Sequence, residues 1–548
     1  MDDLGTKPAI LEICDGATVT AKVQVAYAEK SLGAVYQHGG DVFHLTRPGN
    51  DGAIGNFGQA YWWLEGGTFK SDNANPYLGL GSRTGSESQF EVQGGMVSLS
   101  GANSLMICRG GASNAEYYMG GGTANIGQIR MGGELTYAAD HGADAGGLAV
   151  LTLSGTNNPT LTVTSSLRLT ERTNEFTSVV NLNAGTLVAN SIYDVNRASG
   201  VSKDCKSYLN FNGGTLKFAT SGGPFDASVN HRPTRITVYG GGASIEMASS
   251  SVRDSLIRLT LLRPTGRGIK SITVPAAAAA TGYAMPPVVK ISGGGSEDAT
   301  AHVRFDPRTG TIDRDIEVTS PGINFETAPT VTITAPDMKT PVVCDVELTE
   351  GEQEDGGLEL KGTGQLLNWT TVDGGWAFMT NLTGAIVVGS GITFYPQVAS
   401  VPNPFSANKE LRMAGGAYSA WNKNPSWRRV GGYGTTESWE YTTYHVTEAL
   451  FFRAQDLEQG LSLTNLCGSV HLEDGCVVEI DDFSKLTQRK YRLLTFMGRA
   501  GRETQAKELK GSAPRLAEGA PVGWKLRLSA NKKKLTLVHD EGTTLLLR

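Results

Sequence analysis

Two stretches of the chain, NLNAGTLVANSI at residues 181–192 and LNFNGGTLKFA at residues 209–219, carry the motif that decides the fold. Each has an apolar residue, a polar residue and a small-residue corner ending in Gly, followed by Thr-Leu and alternating side chains. A Gly in the corner supplies the positive φ of a tight turn, and the alternation after it points successive side chains inward and outward. The motif therefore predicts a strand, a corner and a second strand.

The same motif recurs through the first half of the chain. The other copies are LEGGTFK from Leu64, VQGGMVSLS from Val92, IRMGGELTY from Ile129 and YGGGASIEM from Tyr239. Gly66 and Gly94, like Gly213 and Gly241, are separated by roughly 28 residues, a spacing typical of solenoids and propellers. One coil cannot bury its inner face alone, whereas stacked coils bury a continuous apolar column. We predict an all-β protein with a right-handed parallel β-helix; the alternative, a β-propeller, lacks its Trp-Asp or kelch signatures here.

Composition supports a protein of short strands separated by Gly turns and argues against several other classes. The 548 residues exceed what one hydrophobic core usually supports, and 70 Gly against 21 Pro argues against collagen and general disorder. A net charge of −6 provides no positive field for nucleic acid. No apolar run reaches the ~20 residues of a membrane span, and the Met-Asp-Asp start lacks signal-peptide features, so we expect either a removed signal or a fragment.

The six cysteines show no spacing typical of a metal site. Cys467 and Cys476 are near enough in sequence to form a disulfide, but buried free thiols are equally compatible with the pattern. We therefore predict no metal ion and no cofactor.

NLNAGTLVANSI and LNFNGGTLKFA resemble the autotransporter-associated β-strand repeat of bacterial secreted and surface proteins. DGCVVEIDDFSKLTQRKYRLLTF at residues 474–496, followed by GWKLRLSANKKKLTLV at residues 523–538, is similar to the closing segments of those proteins. The resemblance implies a parallel β-helix located outside the cell or on the bacterial cell surface, with no membrane span of its own.

A different composition, rich in Ala, Pro and Asp, interrupts the repeats. GYAMPPVVKI from Gly282 and NFETAPTVTI from Asn324 align at an offset of roughly 42 residues, which indicates two copies of one small β-unit. These copies resemble the GY-x-x-x-P-x-V-x-I repeats of phage tail proteins and bacterial surface proteins. We expect an inserted β-domain that projects from the helix, with the alanines at residues 276–280 as a linker or, alternatively, a helix.

These patterns divide the chain into four predicted segments. They are N-terminal β-helix coils at residues 1–262, the inserted duplicated β-domain at 263–350, continued β-helix at 351–480, and a C-terminal β-strand cap at 481–548. Strands of the cap are predicted at residues 491–494, 524–528 and 535–538 because their side chains alternate.

Residues 418–444 combine tryptophans and tyrosines with Asn, Arg and Glu. Aromatic faces stack on sugars while amide, guanidinium and carboxylate groups bind hydroxyls, so the mixture suits a glycan. The predicted carbohydrate-binding residues are Trp421, Trp427, Arg428, Tyr433, Trp439, Tyr441 and Tyr444. The same aromatic residues could instead pack a loop onto the helix flank, and Tyr61-Trp62-Trp63 beside a strand presents the same two alternatives.

No nucleophile elbow, zinc-protease motif or phosphate-binding loop is present, so the catalytic residues are unknown. Carboxylates could still form a general acid/base pair or serve as turn residues. The carboxylates considered are Asp140 and Asp144 beside His141, Asp313 and Asp315 around Arg314, and Asp481 with Asp482. His231 and His445 stand isolated in the sequence, and we expect structural roles for them.

Together these observations favour an extracellular or cell-surface β-helix scaffold or adhesin that binds a glycan or another host or cell-surface ligand. A polysaccharide-active β-helix hydrolase or lyase using clustered carboxylates is the first alternative. A phage tail-spike-like fibre, which should be a trimer, is the second. The sequence leaves the oligomeric state open.

Overall fold

The computed structural model confirms the predicted fold class: the described residues are nearly all β, with 57% strand and 3% helix, and form a parallel β-solenoid of about 14 turns. The structure describes residues 7–45, 52–71, 78–83, 85–100, 105–109, 113–132, 146–170, 175–195, 205–218, 233–247, 261–279, 282–296, 298–336, 338, 340–368, 382–396, 410–420, 426–438, 443–466, 468–498 and 506–540. These residues fall into two compact units. Unit 1 comprises residues 1–219, 224–243 and 262–355, and unit 2 comprises residues 220–223, 244–261 and 356–548.

One side of the solenoid in unit 1 is a ten-stranded sheet, here called the front sheet. Its strands follow one another in chain order, and those with a resolved register pair in parallel, as expected when each turn contributes one strand. In order, they are β1 (Ala9–Ile13), β4 (Leu32–Gln37), β7 (Gln59–Leu64), β10 (Glu87–Val92), β13 (Asn114–Met119), β15 (Leu148–Leu153), β17 (Thr177–Leu182), β20 (Lys206–Phe211), β22 (Arg235–Val238) and β24 (Leu261–Leu262).

The remaining sides of each turn in unit 1 are built from further strands of two to ten residues. They are β2 (Thr18–Ala21), β3 (Gln24–Val25), β5 (Asp41–His44), β6 (Gly52–Ile54), β8 (Thr68–Ser71), β9 (Leu78–Leu80), β11 (Met96–Leu99), β12 (Leu105–Ile107), β14 (Thr123–Met131), β16 (Thr160–Leu169), β18 (Thr186–Ala189), β19 (Ile192–Asp194) and β21 (Thr215–Phe218). The Gly corner of the motif lies between a front-sheet strand and a following strand, as between β10 and β11, whereas the copy from Ile129 lies at the end of β14, with Gly132 as its last described residue.

Glycine is required at these corners for two reasons. Gly67 and Gly95 occupy the same corner of successive turns, with φ of 76° and 67°. A Cβ on Gly95 would lie 2.5 Å from the carbonyl oxygen of Gly67 in the turn before it. The stack therefore needs both a left-handed backbone and the absence of a side chain at this position.

Beyond the corner, one inward position of every turn builds the core column that the repeat predicts. Each residue of this column pairs with the next one across neighbouring parallel strands. Its members, which are at most 1% exposed, are Val42, Phe69, Val97, Ala124, Leu161, Leu187 and Leu216. Continuous burial of this kind supplies the apolar free energy that one isolated turn lacks.

The segment with the internal duplication forms a six-stranded antiparallel sheet and a small hairpin. The sheet has the order β26 (Val288–Ser292), β31 (Thr330–Thr334), β32 (Val342–Leu348), β25 (Ile269–Thr273), β30 (Asp315–Ser320) and β27 (Thr300–His302), and the hairpin joins β28 (Phe305–Asp306) to β29 (Thr311–Ile312). The two copies pair with each other, because β26 pairs with β31 and β25 with β30. Tyr283 and Phe325, aligned by the repeat, are both buried.

This antiparallel segment does not project from the helix, contrary to our expectation. It packs along the front sheet, where Tyr61 and Trp63 share a hydrophobic cluster with Ile272 and Phe325. The hydroxyl of Tyr36 also donates to the carbonyl oxygen of Ala284 at 2.5 Å. The alanine run contains a short helix, Ala276–Ala279, rather than a plain linker, consistent with the high helix propensity of alanine.

Unit 2 has its own stack of parallel strands and ends in antiparallel strands. β23 (Ala243–Met247) belongs to unit 2 except for Ala243, its first residue. The other strands of unit 2 are β33 (Leu358–Gly362), β34 (Gly364–Asn368), β35 (Ile386–Gly389), β36 (Ile392–Pro396), β37 (Glu410–Ala420), β38 (Ser426–Ser438), β39 (Thr443–Phe452), β40 (Leu463–Leu466), β41 (Ser469–Leu472), β42 (Val477–Ile480), β43 (Lys490–Met497), β44 (Leu509–Gly511), β45 (Trp524–Leu528) and β46 (Lys534–His539). A short helix, Ala454–Glu458, and a 3-10 helix, Phe483–Lys485, connect them. β46 pairs antiparallel with both β43 and β45.

Five of the cysteines lie in the described residues and are free thiols. Cys14 is exposed, whereas Cys108, Cys205, Cys344 and Cys476 are buried. Cys467 lies outside the described residues. In the part of the chain that the structure describes, no helix is long and apolar enough to cross a membrane.

Candidate functional site

The outward face of the front sheet carries a row of polar and aromatic side chains beneath the antiparallel segment. The row occupies one register position of successive turns and is at most 6% exposed. Its members are Trp63, Glu91, Tyr118, Thr152, Asn181 and Asn210. Because burial removes their water, such groups need partners within the protein.

His302, at the end of β27, enters this row between two carboxylates. Its Nδ1 lies 3.0 Å from Oε2 of Glu116, within hydrogen-bond distance, and its Nε2 lies 3.6 Å from Oε2 of Glu91. The imidazole stacks on the ring of Tyr118 with centroids 3.6 Å apart. The hydroxyl of Tyr61 donates to Glu91 at 2.5 Å. We call these five residues the His302 cluster.

Electrostatics keep the imidazole of His302 protonated. Desolvation lowers the pKa of His302, but Glu116 and Glu91 outweigh it and raise the pKa to about 10. Burial and the neighbouring Glu91 raise the pKa of Tyr61 well above its ordinary value, so its hydroxyl keeps its proton. The cluster is therefore a buried imidazolium beside two carboxylates, so removing its positive charge would leave the carboxylates uncompensated.

A second network, centred on the partly buried Glu317, adjoins the cluster. Tyr118 donates to Glu317 at 2.9 Å, Ser154 also donates to Glu317, and Arg304 forms an ion pair with it at 3.0 Å. Burial raises the pKa of Glu317, but the hydrogen bond from Ser154 and the nearby His302 and Arg304 outweigh it and lower the pKa below its usual range. Glu317 thus remains an anion that ties β30 to the front sheet.

Two clefts open beside the His302 cluster. The first, here called the Trp63 cleft, has a volume of about 350 Å³. It is lined by Trp63, Glu91, Gln93, Tyr118, Gly120, Gly155, Thr156, Asn157, Arg304, Phe305, Asp306 and Arg308. The guanidinium of Arg308 lies 5.7 Å from the ring centre of Trp63 and also pairs with Glu65. Aromatic rings, amides and guanidinium groups therefore converge on one polar cleft.

The second cleft, here called the Glu87 cleft, has a volume of about 300 Å³ and a more apolar wall. That wall comes from residues 285–291, opposite Gln59, Glu87, Gln89 and Glu116. Burial raises the pKa of Glu87, although Lys290 and Asn114 oppose the shift. Glu87 faces Asn114 across β10 and β13, which places Glu116 two residues further along the neighbouring strand. The cleft thus holds two carboxyl groups in different environments.

The described members of the predicted glycan-binding set differ in their exposure. Trp427 and Tyr444 are 1% and 2% exposed and pack around the buried Tyr418, which agrees with the packing alternative. Arg428 is exposed and pairs with Glu448 at 2.5 Å, and Tyr433 is half-buried. Trp421, Trp439 and Tyr441 lie outside the described residues, so the prediction for them stands untested.

The carboxylates considered from sequence that lie in the described residues have local partners. Asp481 accepts the backbone N–H of Ala454, and Asp482 accepts that of Ser484 and pairs with Lys485. Asp315 accepts a hydrogen bond from Thr273, and Asp313 is exposed. These contacts match the turn and backbone roles considered from sequence. Asp140, His141, Asp144 and His231 lie outside the described residues.

Sequence reasoning missed the His302 cluster and both clefts. Glu91, Glu116 and His302 are far apart in the chain, and an outward polar residue on a strand ordinarily faces solvent. Their burial follows from the antiparallel segment that covers the sheet. His445, treated as isolated from sequence, stacks on His471 of the neighbouring turn with ring centres 5.1 Å apart. With Glu473 these two form the group that could hold a metal ion among the described residues.

No protein-family model, curated protein or solved structure matches the chain. The fold and the site therefore define its class: a parallel β-solenoid whose front sheet is covered by an antiparallel segment, with clefts of ligand size between them. The solenoid shape identifies no particular repeat family.

Proposed function

We propose that this protein is an extracellular or cell-surface β-helix scaffold or adhesin that binds a glycan in the Trp63 cleft. The observation that carries the proposal is the composition of that cleft, where Gln93, Asn157 and two arginines stand beside the largely buried Trp63 and the carboxylate of Asp306. Rings provide apolar faces for sugar C–H groups, while amides and guanidinium groups bind hydroxyl or carboxylate oxygens. The resemblance to secreted bacterial repeat proteins and the absence of a strong positive charge support the same proposal.

Access to the ring of Trp63 depends on Arg308. Its guanidinium lies over the indole and pairs with Glu65, and its side chain is 58% exposed. Arg304, 53% exposed, lines the same cleft and pairs with Glu317. Two exposed guanidinium groups beside an aromatic ring favour a sugar that carries a carboxylate, such as a uronic or sialic acid, which would compete with Glu65 for Arg308.

The test is retention on an array of neutral and acidic glycans. We expect the wild-type protein to be retained on acidic glycans, and Asn157→Ala and Arg308→Ala to lose about tenfold or more in affinity, since each removes a polar contact worth about 1.4 kcal/mol or more. Arg527→Ala is the matched control because Arg527 is a similarly exposed, ion-paired arginine of unit 2.

Retention that survives both cleft substitutions would contradict the Trp63 cleft as the site. Loss in Trp421→Ala and Trp439→Ala instead would assign binding to the stretch that the sequence predicts. Absence of retention on every glycan would contradict the proposed function itself.

Glycan cleavage is a second candidate function, favoured by the Glu87 cleft. A buried carboxyl group with a raised pKa can donate a proton, and a second carboxylate can act as base or nucleophile. Glu87 and Glu116 occupy these two positions in one cleft. New reducing or unsaturated ends in the incubated glycans, lost in Glu87→Gln and kept in the exposed control Glu359→Gln, would establish this activity; products that persist in Glu87→Gln would contradict it.

A further inference from the structure

We propose that His445, His471 and Glu473 form a binding site for a divalent transition metal ion, with Zn²⁺ as the best-fitting ion. All three residues belong to unit 2. One ligand atom from each, two imidazole nitrogens and a carboxylate oxygen, all lie within 4.8 Å of one another.

The solenoid itself creates this juxtaposition. His445 of β39 and His471 of β41 are register partners on neighbouring parallel strands, so their side chains stand on the same face one turn apart. Glu473 lies two residues after His471, which puts its side chain on that face as well, and its backbone N–H donates to the carbonyl oxygen of Val446. Pairing along the stack therefore orients three residues that come from two turns.

The distances suit a metal after small side-chain rotations. Oε1 of Glu473 lies 2.7 Å from Nδ1 of His445, and Oε2 lies 3.8 Å from Nε2 of His471. Ligands held about 2.1 Å from a tetrahedral zinc ion are about 3.4 Å apart, a value between these two separations. An imidazole binds a metal ion only as the neutral base, so zinc binding weakens in acidic buffer.

The chemistry of the ligands selects the kind of ion. Two imidazoles and one carboxylate suit Zn²⁺, Ni²⁺, Cu²⁺ or Co²⁺, whereas Ca²⁺ and Mg²⁺ prefer sites built from oxygen ligands. Three protein ligands leave at least one coordination position for water or another ligand. The three side chains are 32%, 33% and 41% exposed, so an ion can enter from solvent without unfolding the turn.

The register continues to Lys510, which pairs with His471 on the next turn. The ammonium group of Lys510 is exposed and repels a bound cation, so it weakens metal binding by the three ligands. We therefore expect Lys510→Gln to strengthen zinc binding about two- to tenfold, as expected when a nearby like charge is removed.

The experiment is calorimetric titration of Zn²⁺ into the untagged full-length chain after dialysis against a chelator, at pH 7.5 and again at pH 5.5. We expect one equivalent bound at pH 7.5, and a loss of affinity on the order of 100-fold in His445→Ala and in His471→Ala, because each removes a direct ligand. His539→Ala is the matched control, since His539 packs on Trp524 away from any such group.

Two further measurements keep the proposal falsifiable. Glu473→Gln removes the charged ligand at a partly exposed position, so it tests the site even if a histidine variant fails to fold. Co²⁺ bound by the wild-type chain should give visible d–d absorption that both Glu473→Gln and His471→Ala lose. Unchanged zinc affinity in these two variants, or no zinc binding by the wild type, would overturn the proposal.

Discussion

At the scale of the residue, the glycine corners set how closely successive turns approach. Gly95 has a positive φ, and its Cα faces the backbone of the preceding corner. Gly85 also has a positive φ, of 75°, but a Cβ placed there would meet nothing within 4 Å. An alanine at Gly85 would therefore pay only for the left-handed backbone, whereas an alanine at Gly95 would also clash with the preceding corner.

We expect Gly95→Ala to destabilise unit 1 by about 3 kcal/mol or more, since the Cβ meets backbone that cannot give way, and Gly85→Ala by about 1–2 kcal/mol from the left-handed conformation alone. Urea unfolding followed by circular dichroism measures both. Equal losses in the two variants would show that the close approach between corners contributes nothing.

At the scale of the element, β27 contributes a charge that the front sheet needs. His302 is the positive partner that the structure shows for the carboxylates of Glu91 and Glu116. Without it they would keep neutral hydrogen-bond donors such as Tyr61 and Gln89. The outward carboxylates of β10 and β13 are therefore compensated by a charge that the antiparallel segment supplies.

The pH dependence of stability follows from His302. Its folded pKa of about 10 exceeds the value of about 6.5 expected in an unfolded chain, so its contribution is fully present below pH 6.5 and is lost as pH rises toward 10. We expect a loss of a few kcal/mol across that window in the wild type.

His302→Gln is the test of that expectation. This variant should be less stable at pH 6.5, by about 3 kcal/mol, and should lose much less between pH 6.5 and 9.5. Urea unfolding at both pH values measures the difference, and His38→Gln, which changes a surface histidine paired with Glu65, is the control. Parallel losses in the wild type and His302→Gln would contradict the assignment.

At the scale of the whole molecule, stability in a stacked array depends on neighbours. β10 is paired on both sides, with β7 and β13, whereas β1 pairs with β4 alone among the described strands. Each turn is therefore held by its interfaces with the adjacent turns rather than by a separate core.

We expect backbone amides of β10 to exchange with solvent about 100-fold or more slowly than those of β1, because opening β1 breaks one interface and opening β10 breaks two. Hydrogen exchange read by mass spectrometry on peptides covering Ala9–Ile13 and Glu87–Val92 measures this ratio. Equal rates would indicate that the turns open together as one cooperative unit.

The sequence by itself determined the solenoid. The Gly corner followed by alternation at Leu187 and Leu216 is a local pattern, and each turn repeats it, so the parallel stack and its core column follow from local rules. The duplication in residues 282–333 and the strands near the C-terminus were readable for the same reason.

Only the tertiary structure decided where the polar groups meet. Glu91 and His302 lie 211 positions apart by number, and nothing local distinguishes a strand residue that faces solvent from one that another segment covers. Likewise His445 and His471 become neighbours through the register of two turns, which the loose repeat of unit 2 does not reveal. Local periodicity determines which face a side chain occupies, and the long-range packing of the chain determines what lies opposite it.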